Sequence, residues 1–275
     1  MPGTASPMAE TASEGLRLRV LSLNIQVGLL TQNYRHYVTR AWRHVLPSRH
    51  ARENLKRVAA LAADYDLVAL QEADAGSLRT RQVNQVAHLA ELAGFPYWHA
   101  AVTRDLAPFA QHCLGCLSRQ PLQSTHFHPL PGRLPGRGVL EIALQPAGHE
   151  PLRLLIAHLA LSRGVRAQQL DFLAGLVRPG VDTVLMGDLN CEHGELDARP
   201  SLTRAGLQAL HEAHTFPSWA PTKSLDHMLA TPGVTVLSTR VLDERLSDHL
   251  PVATELCLRL SAAQAAAASV PPARS

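Results

Sequence analysis

Residues 183–190 read TVLMGDLN: apolar and β-branched positions, then a glycine, then Asp188 and Asn190 separated by one leucine. A run of this length, bounded by turn residues, reads as a buried β-strand with polar groups at its end. The same pattern recurs on both sides. Asn24 closes LSLN, Glu72 closes LVALQE, and His158 interrupts LLIAHL. Asp226 and His227 fall in LDHML, and Ser247, Asp248 and His249 precede the run VATELCL. Each alone reads equally well as a turn, where Asp and Asn are favoured for their own hydrogen bonds. Together they place carboxylates, imidazoles and amides at one rim of a sheet, where α/β folds bind ligands. Charged groups there are costly unless paired or metal-bound.

Further short apolar runs, GCLSR (115–119), GVLEIALQ (138–145) and VTVLSTRVL (234–242), add strand candidates. Between the strands, residues 54–63 put Leu55, Val58, Ala59 and Ala62 on one helical face. Residues 83–93 do the same with Val83, Val86, Ala90 and Ala93, with Gly94 as the stop. Leu170, Leu173, Ala174 and Val177 mark a third helix that ends near Pro179-Gly180. No fixed-period repeat is visible, which argues against solenoids and propellers. Strands and helices interleaved in this way predict an α/β body of layered sheets with helices outside. The expected folded domain is residues 16–260, with polar or alanine-rich segments 1–15 and 261–275 as disordered tails.

A chain of 275 residues, 46% apolar and 18% charged, can bury a sizeable core. It has no apolar run long enough for a membrane helix. The start, MPGTASPMAETASEG, lacks the features of a secretory signal, so the expected compartment is the cytoplasm, with the four cysteines reduced. A net charge of +3 is too small to declare a polyanion partner. Only Lys56 and Lys223 are lysines; arginine supplies the remaining positive charge. With 4% aromatic residues, there is little material for base-stacking surfaces.

Glu72, Asp188 and Asp248 are hard oxygen donors suited to Mg²⁺, which keeps waters and takes few protein carboxylates. A histidine with a carboxylate partner supplies a general base or a charged donor to a developing oxyanion. An asparagine holds a water or phosphate oxygen without adding charge. This combination fits metal-assisted attack of water on phosphorus.

From LSLNIQVG through ALQEAD, LLIAHLALS, LMGDLNCEH and SLDHMLAT to LSDHLPVATEL, about residues 17–258, the chain resembles the endonuclease/exonuclease/phosphatase superfamily. These are metal-dependent phosphohydrolases related to pancreatic-type deoxyribonuclease and neutral sphingomyelinase. The resemblance implies a four-layered α/β sandwich with two central β-sheets and outer helices. It implies Glu72 as the main Mg²⁺ (or Mn²⁺) carboxylate, with Asn24 and Asp248 around the metal or its water shell. Asp188 and Asn190 would orient the attacking water and contact the scissile phosphate. His249, held by Asp226, would act on the phosphate, and His158 would be a second phosphate-contacting histidine. His227, only a neighbour of the matching Asp226, reads as a solvated strand end.

The superfamily holds nucleases, phosphatases and lipid phosphodiesterases, so the fold does not settle the substrate. His158 stands where apurinic-site endonucleases carry a tyrosine. Together with the modest charge, this points to a small-molecule or lipid-linked phosphoester rather than polymeric DNA. A nuclease and a non-catalytic phospho-ligand binding module remain the alternatives. Cys113 and Cys116, spaced CLGC on a strand, read as small core residues, since zinc needs a second pair that Cys191 and Cys257 do not form. In residues 34–45, Tyr34, Val38, Ala41, Trp42 and Val45 share a face opposite basic residues. That segment is either an outer helix with a solvated basic face or a peripheral contact with an anionic membrane. The loop HPLPGRLPGRG (128–138) offers Arg133 and Arg137 as candidate substrate contacts.

Overall fold

The structure is a computed structural model and describes residues 15–29, 49–132 and 136–268. The 34–45 segment and Arg133 lie outside the described residues. In chain order the first half comprises β1 (Leu16–Asn24), α1 (Arg49–Ala62), β2 (Leu67–Asp74), α2 (Gln85–Ala93), β3 (Tyr97–Leu106) and β4 (Ala110–Ser118). The second half begins with β5 (Leu122–Pro129), β6 (Gly138–Leu144), β7 (Leu152–His158), α3 (Arg163–Leu176) and β8 (Thr183–Asp188). It continues with α4 (His193–Asp197), α5 (Pro200–Arg204), β9 (Gln208–Ala209), β10 (Asp226–Ala230), β11 (Thr235–Val241), β12 (Val252–Leu258) and α6 (Ala262–Ala268).

Twelve strands form two mixed six-stranded sheets, ordered β11-β12-β1-β2-β4-β3 and β5-β6-β7-β8-β10-β9. Alternation along each strand decides the layers. Leu18 and Val20 of β1, Leu140 and Ile142 of β6, and Leu154 and Ile156 of β7 meet in one core between the sheets. The alternate residues face helices. Leu21, Leu23, Val68 and Leu70 pack under α1 and α2 through Leu55, Val58, Val86 and Leu89. Val139, Leu155 and Leu185 pack under α3, α4 and α5 through Leu170, Leu173, Leu196 and Leu202. Helix, sheet, sheet, helix is the four-layered sandwich that the family resemblance implies. No helix among the described residues is long and apolar enough to cross a membrane.

Several local expectations shift. Helix α2 starts at Gln85, because the Asn84 side chain accepts the N–H groups of Val86 and Ala87 as an N-cap. Val83 therefore lies outside the helix and is exposed. Gly94, at φ 71°, ends that helix as expected. After Leu260 the chain is not wholly a tail: Ala262–Ala268 form α6, in keeping with alanine's helix propensity. His128 and Pro129, read as loop, complete β5. Cys113 and Cys116 on β4 enter different cores on opposite faces. Both are free thiols, and burial pushes each up to about 12.

Candidate active site

The alternation that builds the core also builds the site. On β7, β8 and β10 the residues facing the other sheet are apolar until the last position or the first, where His158, Asp188 and Asp226 stand. Register places these in one row: His158 pairs with Asp188 across β7 and β8, and Asp226 with Asp188 across β8 and β10. From the first sheet, Asn24 ends β1 in the same inward alternation as Leu18, Val20 and Ser22. Glu72 arrives differently. The pairing of β2 with β4 slips between Leu70 and Ala73, and Glu72 sits in this bulge with φ +55°. A bulge re-aims a side chain, and here it turns Glu72 to within 3.8 Å of His158 Nε2.

Gly187 makes the row possible. A Cβ there would lie 2.0 Å from the Ala157 carbonyl oxygen, and its φ of +136° suits glycine alone. After Asp188 the chain turns at Asn190, φ +52°, whose N–H donates to Asp188 Oδ1 at 3.0 Å. The Asn190 amide nitrogen donates to the Leu159 carbonyl at 3.1 Å, which ties the ends of β7 and β8 together.

His249 Nδ1 donates to Asp226 Oδ2 at 2.7 Å, while its Nε2 lies 3.8 Å from Asp188 Oδ2. The ring is 93% shielded and packs 4.9 Å, centroid to centroid, from Phe216. Ser247 locks the approach: its hydroxyl donates to the Asn24 carbonyl at 2.6 Å and accepts the His249 N–H at 3.1 Å. Asp226 is steadied by its own N–H, which donates to Thr215 Oγ1 at 3.1 Å.

Charge is unevenly distributed. Burial opposes ionisation of Glu72, and the nearby Asp248 carboxylate raises its pKa further. Burial likewise pushes Asp188 up to about 7, with Asp226 and Glu72 adding to it against the help of His249 and Asn24. For His249, burial works against the proton, but Asp226, Asp188 and Asp248 outweigh it and hold the imidazole well above its usual range. His158 goes the other way. Burial, then Arg137, drives it well below. Arg137 Nη1 lies 2.8 Å from both ring nitrogens of His158, so the flagged loop arginine does reach the site.

Among the described residues, two groups of possible metal ligands come within 4.8 Å: Glu72, His158 and Asp188, and Asp188, Asp226 and His249. Asp248 belongs to neither; its Oδ2 accepts from Gln26 Nε2 at 3.2 Å. Asn24 is placed as a donor, its amide nitrogen 3.0 Å from Asp188 Oδ2 and its oxygen accepting the Gln26 N–H. Through that amide nitrogen Asn24 orients the Asp188 carboxylate. His227 corrects the sequence reading. It is fully buried on the opposite face of β10 from Asp226, and its Nε2–H faces the carbonyls of Cys191 at 2.7 Å and Ser224 at 2.9 Å. It is structural, as expected, but not solvated. Gln26 has no place in the sequence reading; its only signal there is its nearness to Asn24.

The profile of the endonuclease/exonuclease/phosphatase family matches residues 21–249, and the chain belongs to this family of phosphoester hydrolases. Solved structures share the fold at low identity. An endonuclease/exonuclease/phosphatase from Beutenbergia cavernae DSM 12333 is 24% identical with a TM-score of 0.69, covering 88% of this chain and 72% of that one. Truncated TDP2 of Caenorhabditis elegans is 18% identical with a TM-score of 0.60, covering 88% and 97%. A mannosyl-6-phosphatase of Bacteroides thetaiotaomicron VPI-5482 is 16% identical with a TM-score of 0.61, covering 87% and 99%. No curated protein matches the sequence.

Proposed function

We propose that the protein is a Mg²⁺-dependent hydrolase of a small-molecule or lipid-linked phosphoester. The observation behind this reading is that two carboxylate–histidine groups, Glu72–His158–Asp188 and Asp188–Asp226–His249, share Asp188 at one rim. The donor set fits a divalent cation. Glu72 stands a third exposed with the Asp248 carboxylate beside it, and negative charge crowded in this way is relieved by a hard cation. Glu72 would hold the ion, with Asp248 and Asp188 completing the negative surround and Asn24 fixing the carboxylate orientation. When bound, such an ion polarises the phosphoryl oxygens.

The chain's own residues supply the remainder. Asp188, fixed by Asn24 and the Asn190 N–H, accepts a proton from the attacking water at a carboxylate oxygen. His249, kept protonated by Asp226, donates through Nε2 to the charge that develops on oxygen. Arg137 and His158 bind a phosphate oxygen between them, and Asn190 holds the turn that positions Asp188.

Modest net charge and few aromatic residues favour a small or lipid-linked ester over a nucleic acid. The test is hydrolysis of bis-(p-nitrophenyl) phosphate, p-nitrophenyl phosphate, plasmid DNA and a phospholipid headgroup substrate, with Mg²⁺, Mn²⁺ or EDTA, by wild type and Asp188→Ala. Turnover that needs metal and vanishes in the variant supports the reading. Plasmid nicking that Glu72→Ala abolishes would make the protein a nuclease instead. Metal-dependent ligand binding without turnover would make it a binding module.

A further inference from the structure

The site opens into a cavity of about 1040 Å³, far more than the scissile phosphate occupies. Its walls are chemically one-sided. Leu114, Leu161 and Val165 supply apolar surface, Arg104 and Arg137 supply positive charge beside the imidazoles of His112 and His158, and Glu72 is its sole acid among the described residues.

Arg104, on β3, is exposed, and the loop before β6 packs directly upon it. A Cβ at Gly136 would lie 3.0 Å from Arg104 Cβ and Cδ. The loop therefore brings Arg137 to the same wall, where burial opposes its positive charge, Glu72 and Asp188 favour it, and Arg104 adds a smaller repulsion. Neither arginine forms an ion pair with a carboxylate among the described residues; for half-buried Arg137 this contrasts with the buried arginines. Arg79, Arg153 and Arg166 are each paired, at 2.6, 2.6 and 2.7 Å. Arg137 already faces His158 and the scissile position, which leaves Arg104 without a partner of its own.

His112 completes the wall. Arg79 Nη2 lies 3.4 Å from His112 Nδ1, and Arg79 is itself held at 2.6 Å by the buried carboxylate of Asp74. With Nδ1 accepting from a guanidinium, the ring hydrogen belongs on Nε2, a neutral donor. Glu72 and Asp188 act as counter-charges for Arg137, so in this cavity the Arg104 charge is the one left for an arriving anion.

We infer that Arg104 and His112 form a second anion subsite, and that the substrate is a small phosphoester whose alcohol part carries a further carboxylate or phosphate. The apolar wall of Leu114, Leu161 and Val165 covers the carbon atoms between the two anionic groups. This inference rests on the phosphoester reading of the rim and names its substrate class.

Two ligands of the same carbon skeleton, glycerol 3-phosphate and 3-phosphoglycerate, differ only in whether the far end is a hydroxymethyl or a carboxylate. Calorimetric titration of the metal-free protein in EDTA with each should show 3-phosphoglycerate binding about tenfold more tightly, the scale of one charge-assisted contact. In Arg104→Gln the preference should vanish while glycerol 3-phosphate affinity stays within twofold, and Arg104→Lys should restore part of it. Hydrolysis of bis-(p-nitrophenyl) phosphate by Arg104→Gln should equal wild type, since that substrate has no second anion. Equal affinities in wild type, a preference that survives in Arg104→Gln, or no binding of either ligand would each overturn the subsite. Failure of the hydrolysis panel would overturn the catalytic reading alone, because the titrations do not depend on turnover.

Discussion

Two histidine–carboxylate pairs of equal length lie on opposite faces of the second sheet. His249–Asp226 and His128–Glu141 both measure 2.7 Å. The second pair is electrically closed: Arg153 lies 2.6 Å and Arg178 3.4 Å from Glu141 Oε1, and Phe172 packs edge-on against His128. Burial would raise the Glu141 carboxyl, but His128 and Arg153 outweigh it and hold the group below its ordinary value. The first pair is left unbalanced. It faces Asp188 at 3.8 Å, with no arginine in ion-pair contact among the described residues, so the carboxylates around it hold the proton on His249 against burial. Proximity of an imidazole to a carboxylate is thus shared by a structural clamp and the proposed reactive centre; the surrounding charge separates them.

The sharpest break in that comparison is removal of the imidazoles. His249→Ala should lower the metal-dependent rate on bis-(p-nitrophenyl) phosphate by about 10³-fold, whereas His128→Ala should leave it within twofold. Retention of more than about a tenth of the rate by His249→Ala would remove its assigned role.

Replacing the carboxylate is gentler, because the ring remains. Asp226→Asn should cost about 10²-fold in kcat and shift the pH–rate profile. Without Asp226 the imidazolium loses its proton at lower pH, so the alkaline fall in activity should move to lower pH. An unmoved alkaline limb would show that His249 does not act as its charged form.

For the closed pair the expected effect is on folding. Glu141→Gln leaves Arg153 buried without its partner and should cost about 3 kcal/mol in urea unfolding at pH 7, with the rate unchanged. A carboxylate depressed in the fold stabilises above its ordinary value of 4.5 and loses that contribution as pH falls through the folded pKa. The gap between wild type and variant should therefore close on acidification below pH 4.5; a gap that stays constant would contradict this. The smallest effect is expected for Ser247→Ala, which removes the bridge between the Asn24 carbonyl and the His249 N–H. About 1 kcal/mol of stability and a few-fold loss of rate should follow, read by urea unfolding and steady-state kinetics.

The strands that carry the rim were legible because each is apolar on the faces that meet a core and changes character at one end, as in TVLMGDLN. Strands β3 and β5 were not. Their sequences, YWHAAVTRDL and LQSTHFHP, edge the two sheets and, Ala101 apart, lie exposed or half-buried, so no apolar run marks them. The residues of the rim could be read, but their directions could not. Nothing in ALQEAD announces the bulge that swings Glu72 into the cleft, and nothing in LDHML shows which of Asp226 and His227, neighbours on a strand and so on opposite faces, turns to the cleft. Those depend on register, which only the paired strand supplies.

The row Gly138, His158, Asp188, Asp226 runs across four neighbouring strands at matched register positions. Its spacing is consequently set by the interstrand distance of about 4.8 Å, not by any loop. The groups of the candidate site share a ruler with the backbone, and Gly187 is its tightest notch. A saturation library over 183–190 should therefore tolerate apolar exchange at Val184 or Met186 while admitting nothing but glycine at 187. A single-residue deletion within β8 should silence the protein outright, because a shift of one position exchanges inward for outward along the whole strand.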